Sequence, residues 1–220
     1  MSKEFLRARR PEHKQQRREA ILAAARELAL TSGVRNVSLG GVAAAVGLAK
    51  SNLARYFTTR EEIYLELARQ EFDAWETAVL ARITEASSPD AVFDALVDTL
   101  EERPLFCDLL SHSSTTLEHN VTVEAARAFK LRTAEALAKV ASAVARARPD
   151  LTEEEARELV AAAAGFAALL YPAANPPPVM AKLYAEDPVI AALCIKFAPT
   201  AKRMLRALAA GLPTLRQPHD

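Results

Sequence analysis

The sequence predicts an all-α protein in two parts, a small N-terminal three-helix unit followed by a larger helical bundle. Three observations lead there. Half of the 220 residues are hydrophobic and only 6 are Gly, with Ala and Leu abundant, the composition of a helical globular protein. Apolar residues recur at three- and four-residue spacing along most of the chain, and no segment shows the strict alternation of a half-buried strand. Pro, Gly and short polar clusters then cut this pattern into stretches of about 10 to 25 residues.

The elements follow in order. Residues 1–13 have no apolar periodicity and contain Pro11, so they read as a flexible basic arm. From Lys14, the residues Ile21, Leu22, Ala25, Leu28 and Ala29 define the inner face of a first helix reaching Thr31, with Gly33 placed to cap it. Ser38 caps a second helix of two turns, in which Leu39, Val42, Ala43 and Val46 face one way before Gly47. Lys50 to Phe57 makes a third helix with Leu53 and Phe57 on its inner face. Thr59 and Glu62 form a capping box that opens a long helix through Ile63, Leu67 and Trp75. Beyond residue 86, breaks are expected at Ser87–Pro89, Arg103–Pro104, His119–Thr122, Arg148–Asp150, Pro172–Pro178 and Asp187–Pro188. Thr152 with Glu155 caps an Ala-rich helix that Pro172 is expected to end. The expected division is an arm at 1–13, a helix-turn-helix domain at 14–62 with its motif at about 38–57, a helical domain at 63–213, and a tail at 214–220.

Charge separates the same two parts. The first 60 residues carry 12 Lys and Arg against 4 Glu, a net +8, and the other 160 carry 16 against 24, a net −8. A basic module joined to an acidic one suits a polyanion as partner of the first. Cys107 and Cys194 are too few and too far apart for a disulfide framework or zinc knuckle and are expected as buried free thiols. No apolar run approaches the roughly 18 residues of a membrane span, and no signal segment is evident, so the expected location is cytoplasmic and no membrane partner is expected.

Two short helices around a Gly-containing turn, after a longer helix, form the tri-helical helix-turn-helix unit. Its residue types have physical reasons. The first short helix runs close to its partners, which suits Ala43, and Gly47 relieves the turn. The second needs an apolar inner face for rigidity and a polar outer face to enter the major groove. Lys50, Ser51, Asn52 and Arg55 supply that outer face, with Tyr56 at its edge; Arg and Lys match guanine acceptors or phosphate, and Asn matches adenine. Ser38 and Arg60, at the starts of the flanking helices, are placed to meet backbone phosphate.

The run from Arg18 through Ala29, then Gly33, Ser38 to Ala43, Val46-Gly47-Leu48 and Lys50 to Glu62, resembles the DNA-binding region of the tetracycline-repressor (TetR) family over about 50 residues. Ala54 stands where that family usually has Tyr, Gly41 where a charged residue is common, and Asn52 where a small residue is usual. The Asn52 change bears on sequence preference, because Asn can make a bidentate contact that Gly or Ala cannot. Leu117 to Val121, Phe129-Lys130, Leu170-Tyr171-Pro172 and Asn175-Pro176 resemble one subgroup of the family's regulatory domains. The resemblance implies a homodimer formed by the last two long helices, near 153–171 and 188–209, and an effector pocket among the middle ones.

Candidate residues follow. Phe93, Leu96, Phe106, Leu110, Phe129 and Leu169 are candidates for the pocket: each one by itself reads as ordinary core, and the resemblance implies that a subset of them lines a pocket, while Ala161, Gly165 and Ala168 let a second copy approach closely. His112, Glu118 and His119 do not assemble as a metal site at helical spacing, and the run Ser111 to Ser114 lacks a nucleophile elbow. Neither a catalytic residue, a metal nor a cofactor is expected. The reading is a sequence-specific regulator, a repressor released from double-stranded operator DNA by an apolar or amphipathic small molecule. Against it stand an enzyme with an appended DNA-binding domain, for which no convergent acid, base or nucleophile set is found, and an architectural DNA binder indifferent to small molecules.

Overall fold

The computed structural model describes residues 4–216, which form eleven α-helices and no strand. Helices α1 (Glu4–Ser32), α2 (Leu39–Ala45) and α3 (Lys50–Leu53) build the head. The long α4 (Arg60–Glu85) connects it to a body made of α5 (Ala91–Glu101), α6 (Pro104–His112), α7 (Val123–Ala147), α8 (Glu153–Ala174), α9 (Pro178–Glu186), α10 (Pro188–Ala191) and α11 (Phe197–Gly211).

In the body, α4 lies along α7, while α8 packs against α6, α7 and α11. The centre is aromatic: Phe72 meets Phe106 edge-on at 4.8 Å, and Trp75 and Phe129 complete the cluster at about 6 Å from their neighbours. Trp75 brings one polar atom inside, and its indole N–H donates to Thr99 Oγ1 at 3.0 Å. Thr99 in turn donates to the Ala95 carbonyl at 2.6 Å, so the buried pair is satisfied.

Local signals set most helix ends. Ser38 Oγ accepts the Gly41 N–H at 3.0 Å, and Thr152 and Glu155 form a reciprocal capping box at the start of α8. At α4 the reciprocity is displaced by one residue. Thr59 Oγ1 accepts from the Glu62 N–H, but the Glu62 carboxylate takes the N–H of Thr58. Gly33 and Gly47 have φ of +81° and +65°; at Gly47 a Cβ would meet nothing within 4 Å, so the glycine is required by backbone conformation and not by space.

Four expectations change. Helix α1 starts at Glu4, not Lys14, because Glu4 to Arg10 are mostly good helix formers that extend an existing helix without a new nucleus. Residues 1–3 of the expected arm and 217–220 of the expected tail lie outside the described residues. Pro172 sits inside α8, which continues to Ala174; it lies on the exposed side, where water can satisfy the carbonyl that its missing N–H leaves free. The segment expected as one helix near 188–209 is two, α10 and α11, parted by an irregular stretch. Cys107 is buried as expected, but Cys194 is exposed because it follows α10, which buries nothing.

Candidate nucleic-acid interface

The head is held by its apolar side. Ile21, Ala25, Val42, Ala43, Leu53 and Phe57 are all at most 3 % exposed, and their packing fixes the direction of the short α3. The Phe57 ring is also covered by Arg18, whose guanidinium carbon lies 4.2 Å from the ring centroid. Arg18 then reaches the Tyr56 carbonyl at 3.5 Å and Glu66 of α4 at 3.6 Å.

With Leu53 and Phe57 turned inward, Lys50, Ser51, Asn52 and Arg55 are all exposed on the opposite side, and Ser38 is exposed at the start of α2. Tyr56 is half-buried at the edge. The regular part of α3 ends at Leu53, but the Phe57 N–H still bonds the Leu53 carbonyl at 3.2 Å, so the turn carries Arg55 onward on the same side.

Sequence reading missed an extension of this surface. His13, Lys14 and Arg17 of α1 join Arg55 and Tyr56 around an open recess of about 480 Å³, with no carboxylate in its lining. The available signal was the three-residue spacing of Lys14 and Arg17 on one helix; what sequence could not supply was the packing that places α1 beside Arg55. Such a recess favours phosphate.

Arg60 is the exception among the expected contacts. Its Nη1 donates to the carbonyls of Arg35 at 3.1 Å and Val37 at 3.0 Å, and its Nε meets Glu61 at 3.1 Å. These inward bonds make it a clamp between α4 and the turn before α2. Arg60 therefore carries a structural role that its place at a helix start did not foretell.

Head and body meet along a seam. Asp108 of α6 accepts the Val34 N–H at 2.8 Å, and its other oxygen lies 3.5 Å from His112 Nε2. Thr59 Oγ1 donates to the Asn120 carbonyl at 2.7 Å, and Arg26 of α1 pairs with the buried Glu71 of α4. Beside Asp108 is a cavity of about 580 Å³, lined by Leu30, Gly33, Leu105, Tyr171, Pro172 and Pro178 among others.

The residues expected around an effector are mostly core. Phe93, Leu96 and Phe106 are at most 1 % exposed, and Leu110 is half-buried. Phe129 packs on Phe72 and borders a cleft of about 290 Å³ next to Arg18 and Arg69. Leu169 is 69 % exposed, because the buried stripe of α8 runs through Leu159, Ala163, Ala167 and Leu170. It instead continues the outward strip of Ala161 and Gly165, both exposed, with Ala168 half-buried beside it. A Cβ at Gly165 would meet nothing within 4 Å.

Comparison with known proteins agrees with this geometry. Residues 21–67 match the model of the bacterial regulatory proteins of the tetR family, and residues 69–216 match that of the tetracyclin repressor-like C-terminal domain. No curated protein sequence matches the chain. Among solved structures, FadR from Bacillus subtilis in complex with stearoyl-CoA has a TM-score of 0.58 at 12 % identity, covering 88 % of this chain and 98 % of its own. FadR from Thermus thermophilus, a TetR-family transcriptional repressor in complex with lauroyl-CoA, gives 0.54 at 16 % identity, covering 92 % and 97 %. RolR in complex with resorcinol gives 0.55 at 16 % identity, covering 96 % and 99 %. These likenesses are likenesses of fold, whereas the two family models together span most of the chain: it belongs to the TetR family of DNA-binding transcriptional regulators.

Proposed function

We propose that the chain is a repressor that binds operator DNA as a homodimer and leaves it when a small molecule enters the seam between head and body. The observation that carries the DNA contact is the exposed face of Lys50, Ser51, Asn52 and Arg55 on a rigid apolar base, continued by the recess of His13, Lys14 and Arg17. Base reading falls to Asn52 and Arg55, whose side chains match adenine and guanine edges, and phosphate anchoring to Ser38, Lys14, Arg17 and Lys50, with Tyr56 at the margin. Dimerisation through the outward strip of α8 and the neighbouring α11 would put two heads on one duplex.

The seam supports the release step. Its cavity is mainly apolar with a few polar groups, within the size range of small-molecule sites, and it borders the Asp108–Val34 contact that ties head to body. An occupant there alters the tie directly. The solved relatives bound to stearoyl-CoA, lauroyl-CoA and resorcinol support a ligand-responsive body of this fold. Selection of bound fragments from genomic DNA, followed by titration of the recovered site, tests the proposal. Recovery of no enriched sequence would reject operator recognition in favour of indifferent DNA binding.

A further inference from the structure

Helices α9 and α10 form an arm that the rest of the chain does not explain. None of their residues is buried, and their chief packing partner is each other. The arm is nonetheless well formed. Asp187 accepts the N–H groups of Val189 and Ile190 at 2.8 and 3.1 Å, and Lys182 pairs with Glu186 at 3.6 Å. Helices of nine and four residues that bury nothing are marginal in water, so their stability calls for a surface to pack against.

The chemistry of the arm says which surface. Val179, Val189 and Leu193 are 74 %, 81 % and 74 % exposed, and Leu183 adds a smaller share. Leu169, 69 % exposed, lies nine residues before the arm, near the end of α8. Summed over these side chains, the exposed apolar surface is on the order of 500 Å², similar in size to the largest patch of an ordinary monomer. Doubling by two-fold symmetry gives on the order of 1,000 Å² before any rim is counted, which approaches the lower bound of a specific interface. Lys182 and Glu186 neutralise each other, which argues against nucleic acid or a charged lipid surface. The arm also hangs between α8 and α11, and α8 carries the open strip of Ala161 and Gly165.

We infer that the α9–α10 arm clasps a second copy of this chain, each arm lying across the other protomer's body beyond the α8 and α11 faces. This rests on the dimer proposed above but assigns the arm, not only the small-residue strip, to the interface. The contact is reciprocal, as a two-fold pair requires.

Cys194 supplies a natural reporter. It is exposed at the end of the arm, whereas Cys107 is buried and its thiol is pushed up to about 12 by that burial, which keeps it inert. Full-length protein is sedimented over a range of concentrations while its reaction with 5,5′-dithiobis(2-nitrobenzoate) is followed. One fast thiol is expected in the dilute monomer, lost in Cys194→Ser, and slowed at least about tenfold when dimer forms. Val189→Asp, at an exposed position, should leave helix content unchanged and weaken association at least about tenfold. A stable dimer in which Cys194 reacts as fast as in the monomer overturns the clasp and leaves the dimer standing. A monomer at every concentration overturns both. Protection that appears only on adding phosphatidylcholine vesicles to dilute protein assigns the arm to a lipid surface and overturns the inference.

Discussion

The carboxylate of Asp108 accepts the backbone N–H of Val34 at 2.8 Å across 74 residues of sequence, so one side chain of α6 fixes the turn that ends α1. A Cβ at Gly33 would lie 3.8 Å from the same oxygen, an ordinary contact, but the φ of +81° there keeps the turn specific for glycine. The tie is partly exposed, which limits its strength to that of a single charge-assisted bond. Asp108→Ala should therefore cost about 1 to 2 kcal/mol and lower Tm by about 2 to 8 °C. Asp108→Asn, which keeps an acceptor, should restore much of the loss; equal losses in both variants would show that the bond does not hold the seam.

Arg55 on the one hand, and Lys14 and Arg17 on the other, separate two kinds of DNA contact. Arg55→Ala should cost about 1 to 3 kcal/mol and flatten sequence preference at one position, as loss of a base contact does. Lys14→Ala and Arg17→Ala should weaken binding alike across sequences and each reduce the salt slope by about 1. Fluorescence anisotropy with operator and mismatched duplexes at several salt concentrations distinguishes the two. Wild-type affinity in all of these variants would remove the proposed face.

Much of the head, and the start of α8 in the body, was legible because the signals are local. Ser38, Gly33, Gly47 and the Thr152–Glu155 box each declare a chain reversal or helix end within four residues, and the structure uses them so. What was not legible was long-range. Arg60 looked like a phosphate contact from its place at a helix start, but the carbonyls it meets belong to residues 35 and 37. Lys14 and Arg17 looked like part of a basic segment until the fold set them beside Arg55. Phe106 and Leu169 have the same apolar character, yet one is in the aromatic centre and the other outside, since hydrophobicity does not report which side of a helix finds a partner.

Gly165→Trp tests the α8 strip. Because Gly165 is exposed and a Cβ there would meet nothing within 4 Å, the substitution should leave helix content and monomer folding intact. Against a second copy it should overfill the contact and raise the dimer dissociation constant about tenfold or more. Sedimentation of wild type and variant provides the comparison, and an unchanged constant would move the interface elsewhere.

Glu155 and Arg216 give a pH-dependent contribution of known sign. The Arg216 guanidinium, and after it the Thr152 N–H, hold the Glu155 carboxyl down to about 2 from its ordinary 4.5. A carboxyl lowered in the folded state contributes stability that is complete above the unfolded value and lost as pH falls through the folded one. The stability difference between wild type and Arg216→Gln should therefore be constant above about pH 5 and shrink between 4.5 and 2. Denaturant unfolding at stepped pH measures it, and a difference independent of pH would discount the pair.

Leu30 gives the means to test the effector cavity without disturbing the core. It lines the seam cavity yet is 57 % exposed, so Leu30→Trp can occupy the space with little effect on folding. Amphipathic compounds are first screened by thermal shift, since a ligand that binds the folded state alone raises Tm. Each hit is then titrated against the protein–operator complex. A ligand that favours the conformer unfit for DNA must weaken operator affinity by the same factor by which operator weakens ligand affinity. Leu30→Trp should lose the thermal shift and the release while binding free operator as wild type does. Hits that still act fully on Leu30→Trp would place the effector outside the seam, and hits that raise Tm without changing operator affinity would break the link between ligand and release.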